Sequence, residues 1–291
     1  MEFEGIRLMT VERDKKLKSI VNSSGFVFQL ALEHKIKSTR ADHQWEVIAH
    51  EHPWRNSETG AHGFIDLILK KDRIRLVIEC KRPNDAVWIF INPNEKRDDV
   101  SRARLFWVYF AEYLRDVSLH PDPTCSWSDL EFTPESPESE FCSIRGQGET
   151  DNPLLERISS QLITSIECLA HEEIEMTKHT KVERVYIYVP VIVTTAQLEL
   201  CHFDPQNIPL SDGKLSEGSF TTVPSVRFRK SLTTQLTSTS FVTDIREANE
   251  DTARTVLVVN SNSLCDILKS INIDRLDKSS SWPWRYNYKE K

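Results

Sequence analysis

Asp66, Glu79 and Lys81 stand inside or at the end of two apolar runs, GFIDLILKK and IRLVIECKR. Charged groups in such surroundings are costly unless they are paired or coordinate something. A short polar turn around Asp72 and Arg73 separates the runs. If that turn is centred between those two residues, opposing positions have numbers summing to 145. Asp66 then faces Glu79, Ile68 faces Val77 and Lys70 faces Arg75. Directly opposed side chains share a face, with Cβ atoms about 4.5–5.5 Å apart. Lys81, two residues beyond Glu79, returns to the same face. Two carboxylates so placed repel each other unless a cation sits between them. Oxygen-only ligation suits Mg²⁺ or Mn²⁺; Mg²⁺ takes one or two protein carboxylates and leaves room for a phosphate. A lysine alongside can orient or deprotonate a water, or neutralise charge growing on phosphorus. The chemistry this cluster suits is metal-assisted hydrolysis of a phosphodiester.

The elements that must position these groups can be read from periodicity. Residues 14–37 read as helix with a break near Asn22-Ser23-Ser24-Gly25, and Phe26, Leu30, Glu33 and Lys37 trace one stripe of the second segment. WEVIAHEHPW (45–54) reads as a strand closed by the polar loop RNSETGAHG. The two runs bearing the charges are apolar on both faces, as central strands are. WIFI (88–91) is another short strand, and VSRARLFWVYFAEYLR (100–115) reads as a helix. Residues 116–153, rich in Pro, Ser and acids, read as a surface excursion or a partly disordered insert. A helix follows over 154–177, then strands at 185–193, 197–202, 223–229 and 255–259, and a short helix, LCDILKSI. Pro190 argues for an edge or a bulge in VYIYVPVIV. The expected class is mixed α/β, a sheet with helices packed on it.

GFID, twelve residues, then ECK resembles the PD-(D/E)xK motif of the restriction-endonuclease-like nuclease superfamily. Ile65 stands where the motif's name has proline. The resemblance covers about residues 23–84 and implies an αβββαβ core, a mixed central sheet flanked by helices, with extra C-terminal strands. Either the 100–115 or the 154–177 helix would be the second core helix, and 185–193 the next strand. The whole chain is then one domain: motif core about 23–115, insert 116–153, completing helix and strands 154–271, and tail 272–291. The resemblance further implies Asp66 and Glu79 as metal ligands, the Cys80 backbone carbonyl as a third, and Lys81 as the catalytic lysine. Glu33, on the first core helix, would support a metal or a water. The implied activity is that of a Mg²⁺- or Mn²⁺-dependent endonuclease acting on DNA, with RNA as the other substrate. The implied setting is prokaryotic restriction or anti-phage defence, or else repair, with a defence-system protein as partner. One site cuts one strand, so double-strand scission calls for a homodimer or two binding events. The alternative is an inactive nucleic-acid-binding or scaffolding subunit of a defence or repair complex.

Other residues admit two readings each. Gln29, one helical turn from Glu33, lines the cleft or is a plain polar helix residue. His50, Glu51 and His52 resemble metal ligands as written, and His50 and His52 share a face at strand period, but no Cys or third His completes a zinc site; His52 approaches a phosphate or serves the structure. Glu33 could equally pair with Lys37. Ser57, Thr59 and His62 feed the Asp66 strand, where phosphate contacts or plain loop solubility explain them. Arg82 points away from Lys81 and reads as a structural pairing. Arg227, Arg229 and Lys230 alternate on a strand and either follow a nucleic-acid backbone or form a solvated face. The terminal SWPWRYNYKEK interleaves aromatics with bases, which either stack on nucleobases or dock on the domain.

Charge at first opposes a nucleic-acid role: 37 Lys+Arg against 44 Asp+Glu give a net of -7. Nine of those acids and a single base, Arg145, fall within residues 116–151. Outside that segment 36 bases meet 35 acids, and the first 115 residues carry 20 bases and 17 acids. The six cysteines form no C-x-x-C pair, which speaks against a zinc knuckle or a disulfide framework. No apolar run approaches the ~18 residues of a membrane span and no signal sequence opens the chain, so the expected setting is the reducing cytoplasm.

Overall fold

The computed structural model describes residues 2–83, 87–93, 100–110, 124–144, 153–177, 184–232 and 243–273. Helices α1 (Glu2–Ser23) and α2 (Phe26–Ser38) are divided at Gly25, whose φ of 80° is a conformation that glycine adopts without strain. A single turn, α3 (Arg40–His43), leads into three antiparallel strands, β1 (Glu46–Arg55), β2 (His62–Lys71) and β3 (Ile74–Lys81). Next come β4 (Val87–Pro93), β5 (Val100–Phe110), β6 (Thr124–Ser136), β7 (Glu138–Ser139) and β8 (Phe141–Ile144). Helix α4 (Leu154–Thr177) precedes β9 (Arg184–Thr194), β10 (Gln197–Phe203), β11 (Ser219–Thr222) and β12 (Ser225–Ser231). The described chain closes with α5 (Ile245–Thr252), β13 (Ala253–Asn260), α6 (Leu264–Ser270) and β14 (Asn272–Ile273).

The main sheet is mixed and runs β1-β2-β3-β9-β13-β12-β7, with β5 also paired to β9 and carrying β6 and β14. A smaller sheet runs β11-β10-β4-β8. Two apolar layers enclose the main sheet. On one face α4 lays down Leu155, Ile158, Leu162, Ile166, Leu169 and Ile174, a stripe at three- and four-residue spacing, beside Trp88 and Phe90 of β4. On the other face Leu32 and Ile36 of α2 and Leu264, Ile267 and Leu268 of α6 cover Leu67, Leu69, Leu76 and Ile78. The chain is thus α/β, a mixed sheet between helices, and no described helix is long and apolar enough to cross a membrane.

Two expectations fail. Residues 100–110 form β5, not a helix. Ala103, Leu105, Phe106, Trp107 and Val108 are all buried between β6 and β9, so the two-residue alternation that marks a half-exposed strand is missing. The described part of the acidic insert, 124–144, is likewise built into the sheets as β6, β7 and β8. Residues 116–123 and 145–153 of the insert, except Pro153, lie outside the described residues, as do 111–115 and the aromatic tail from 274 on.

Pro190 is neither at an edge nor in a bulge. β9 lies between β3 on one side and β5 and β13 on the other. The N–H groups of Ile187 and Thr195 donate to Arg73 and Lys81 of β3, so the backbone groups of even-numbered residues face the opposite side. There the ladder to β5 ends at Tyr188 and the ladder to β13 begins at Val191. Pro190 occupies the gap between the two partners, where a missing donor costs no ladder bond.

Candidate active site

The β2–β3 turn is two residues long, Asp72 and Arg73, with Asp72 at φ 50°. The register that follows pairs Ile68 with Val77 and Lys70 with Arg75, as the numbering argument requires. The ladder ends at Leu67–Ile78. Beyond it, the carboxylate of Asp66 takes the place of a backbone acceptor: Oδ2 accepts the Cys80 N–H at 2.6 Å. Cys80 lies one residue from Lys81, whose carbonyl is turned to β9. The Cys80 N–H and carbonyl therefore both point towards β2, into the gap where the two strands part. The Cys80 side chain packs on the α2 face, and burial, then Asp66 and Glu79, push its thiol pKa well up.

Glu79 and Lys81 follow on β3, with Lys81 Nζ 2.5 Å from Glu79 Oε1. Burial first, and the Glu79 charge second, raise the Asp66 carboxyl to about 7. The Cys80 N–H and Lys81 pull it down, and Glu51 adds a further upward push. Asp66, Glu79 and Lys81, the three residues singled out from sequence, therefore share one site. Their surplus negative charge and the Cys80 carbonyl make an oxygen donor set of the kind hard divalent cations take. Among the described residues no three His, Cys, Asp or Glu side chains form a metal-holding group. The protein would supply two carboxylates and a carbonyl, and water or substrate the remainder, which is the usual share for Mg²⁺.

Glu33 is not brought to Asp66. Although buried, it accepts from Lys37 Nζ at 2.5 Å and lies 3.3 Å from His50 Nδ1. The Lys37 bond holds its carboxyl below the usual range, with burial opposing and His50 assisting. The i,i+4 pairing expected of an ordinary helix residue has captured it. Gln29, one turn earlier on α2, occupies the site instead. It is 7% exposed, and its Nε2 donates to Glu51 Oε1 at 2.7 Å and to the Asp66 carbonyl at 3.0 Å. That makes it an internal brace, not a cleft-lining contact.

Glu51 stands out in sequence only beside His50 and His52, and nothing there joins it to Asp66. The pairs His50–Leu67 and His52–Ile65 place Glu51 opposite Asp66. Its register could not be counted, because a six-residue loop joins β1 to β2 and an irregularity lies between Val47 and Ala49. Gly63 contributes to this close pairing, since a Cβ there would meet the Trp54 indole at 3.1 Å.

The other residues singled out from sequence take places away from Asp66. His52 Nε2 lies 2.8 Å from Glu172 Oε2 and so ties β1 to α4 instead of facing a phosphate. His50, two residues away, turns to the opposite helix, so the two histidines do not share a face. His62 is exposed at the start of β2, with Nδ1 3.3 Å from the Gly60 carbonyl. Arg82 donates to the Asn22 carbonyl at the end of α1, a structural pairing. Arg227 is wholly buried and donates to the carbonyls of Val100, Phe132, Pro134 and Ser136, so it cannot follow a nucleic-acid backbone. Arg229 is bound to Asp129 at 2.7 and 3.3 Å. Comparison with protein-family models, curated proteins and solved structures yields no match to this chain.

Proposed function

We propose that the chain is a nuclease dependent on Mg²⁺ or Mn²⁺, hydrolysing phosphodiester bonds of DNA. The observation that carries this reading is the parting of β2 and β3, where Asp66 accepts the Cys80 N–H while Glu79 and Lys81 sit one residue to either side. The element order supports it: α2, then β1, β2 and β3, and later α4 leading into β9, which runs parallel to β3. That is the αβββαβ succession of the PD-(D/E)xK superfamily, with β4–β8 as an elaboration between the third strand and α4.

Asp66, Glu79 and the Cys80 carbonyl would hold the cation, whose charge would polarise the phosphodiester oxygens. Asp66 is kept in the gap by the Cys80 N–H and braced from behind by Gln29. Lys81, beside Glu79, would be placed to orient the attacking water or to neutralise charge on phosphorus. Double-strand cutting would need two such chains, in a homodimer or in a complex with a defence or repair protein.

The test is cleavage of plasmid, single-stranded DNA and RNA by the purified chain with Mg²⁺, Mn²⁺ or EDTA. Cleavage of DNA is expected with either metal and not with EDTA. Lys81→Ala and Asp66→Asn should each lower the rate at least about 100-fold. Cutting that survives either substitution removes the assignment. No metal-dependent cutting of any substrate leaves a non-cleaving nucleic-acid-binding scaffold.

A further inference from the structure

Resting on that reading, we propose that Glu51 on β1, and not Glu33 on α2, is the third acid serving the cation site, and that Gln29 is the positioning residue that holds it there. Three observations converge on this. The β1–β2 register sets Glu51 directly across from Asp66. Glu51 has a φ of 48°, a conformation that disfavours a residue carrying a Cβ. And the Gln29 amide joins Glu51 Oε1 to the Asp66 carbonyl from a buried position.

The backbone at Glu51 has a visible consequence. In a regular strand His50 and His52 would face the same way. Here His50 reaches Glu33 on α2, while His52 reaches Glu172 on α4, on the opposite face of the sheet. The same break falls on β2, where Leu67 joins the α2 layer and Ile65 the α4 layer. Alternation therefore resets at Glu51 and Asp66 together. The break takes both acids out of the two packed layers, Asp66 towards the Cys80 N–H on β3 and Glu51 towards Gln29 on α2.

Gln29 engages Oε1, and among the described residues Glu51 Oε2 takes no hydrogen bond, so that oxygen is left to accept from water. Mg²⁺ keeps several waters when it binds protein carboxylates. An acid held back from direct contact can serve that hydration shell, and partners of this kind typically contribute 10–100-fold to metal affinity. Glu33 differs in that its charge is already paired, with Lys37 Nζ at 2.5 Å and His50 Nδ1 at 3.3 Å, and it is 6% exposed.

The experiment is Mn²⁺ binding to the full chain, followed by calorimetry and by the electron paramagnetic resonance signal of free Mn²⁺, without substrate. Glu51→Gln should weaken Mn²⁺ about 10-fold. Glu51→Gly should weaken it equally while melting at or above wild type in EDTA, because glycine accepts the φ without strain. Gln29→Ala should weaken Mn²⁺ in the same direction, and adding it to Glu51→Gln should cost less than it does alone, the remainder being its bond to the Asp66 carbonyl. Glu33→Gln should leave affinity within about 2-fold of wild type, a ratio well below the second-sphere effect. Wild-type affinity in both Glu51 variants overturns the inference. So does a full additional loss from Gln29→Ala in the Glu51→Gln background. Mn²⁺ binding that vanishes in Asp66→Asn but ignores Glu51 sinks this inference alone. A wild-type chain that neither binds Mn²⁺ nor cuts overturns the nuclease reading, and this inference with it.

Discussion

Asp66 carries opposing demands. It is held among apolar strands beside Glu79 and Glu51, and its carboxyl is raised to about 7 from an ordinary value of 3.8. A carboxyl whose folded-state value lies above its unfolded value is stabilised by folding in its protonated form. That contribution is complete below about pH 4 and is lost as pH rises through 7. The cation-free protein should therefore lose stability between pH 5 and pH 8, by at most about 4 kcal/mol. Asp66→Asn keeps an acceptor for the Cys80 N–H but cannot ionise, so it should lose much less over the same range. Urea denaturation in EDTA at both pH values checks this, and equal losses in the two proteins would remove the argument. The same strain explains why the site was legible in sequence: Asp66, Glu79 and Lys81 are conspicuous because apolar strands reject charge. Glu51 was not, because nothing in the text HEH distinguishes an acid at a positive φ from a solvated one. Nor could sequence separate Glu33 from Gln29. Both point off α2, and which of them meets β2 depends on the helix's rotation, which Leu32 and Ile36 set by packing.

Among the elements, the hairpin was readable to the residue because a two-residue turn fixes register. β5 was not, since a strand buried on both faces lacks the period that sequence reading uses. Arg227 is the clearest case of an element-level error. In VRFRK it looks like part of a basic stripe, yet its guanidinium is sealed under β12. It collects carbonyls from β6 and from Val100 at the start of β5, and it lies over the Phe132 ring. Burial lowers its pKa to about 10, which still leaves it charged at neutral pH. The planar fork reaches several carbonyls at once, and a single ammonium does not. Arg227→Lys should therefore cost at least about 2 kcal/mol, and Arg227→Ala more, because buried carbonyls are left without donors. Urea midpoints would show it. A loss below 0.5 kcal/mol, the size of an ordinary surface change, would mean that the carbonyls find other donors. Neither change should alter the ionic-strength dependence of nucleic-acid binding, as a backbone-contacting arginine would.

At the scale of the whole molecule, the described part of the acidic segment, 124–144, is built into the sheets and does not stand as a counterweight to a basic body. Asp129 binds both Arg104 and Arg229, and Glu131 binds Arg102. Lys230 pairs with Glu156, Arg75 with Glu173 and Arg104 also with Asp251. These five cations are already paired within the fold, so neither the net of -7 nor the +3 of the first 115 residues measures what a nucleic acid would feel. Counterion release makes this measurable, because each phosphate neutralised adds about 0.9 to the slope of log K against log salt. With these side chains committed to ion pairs, Asp66→Asn protein binding a duplex without divalent cation should show a slope of about -3, against the -5 to -9 of a protein making 6–10 phosphate contacts. Fluorescence anisotropy between 50 and 200 mM KCl reads it directly. A slope steeper than about -5 would mean that the ion pairs open on binding, and then Asp129→Asn, which frees Arg229 while Asp251 still holds Arg104, should leave the slope unchanged. If the pairs stay closed, the same substitution should steepen it by up to about 1.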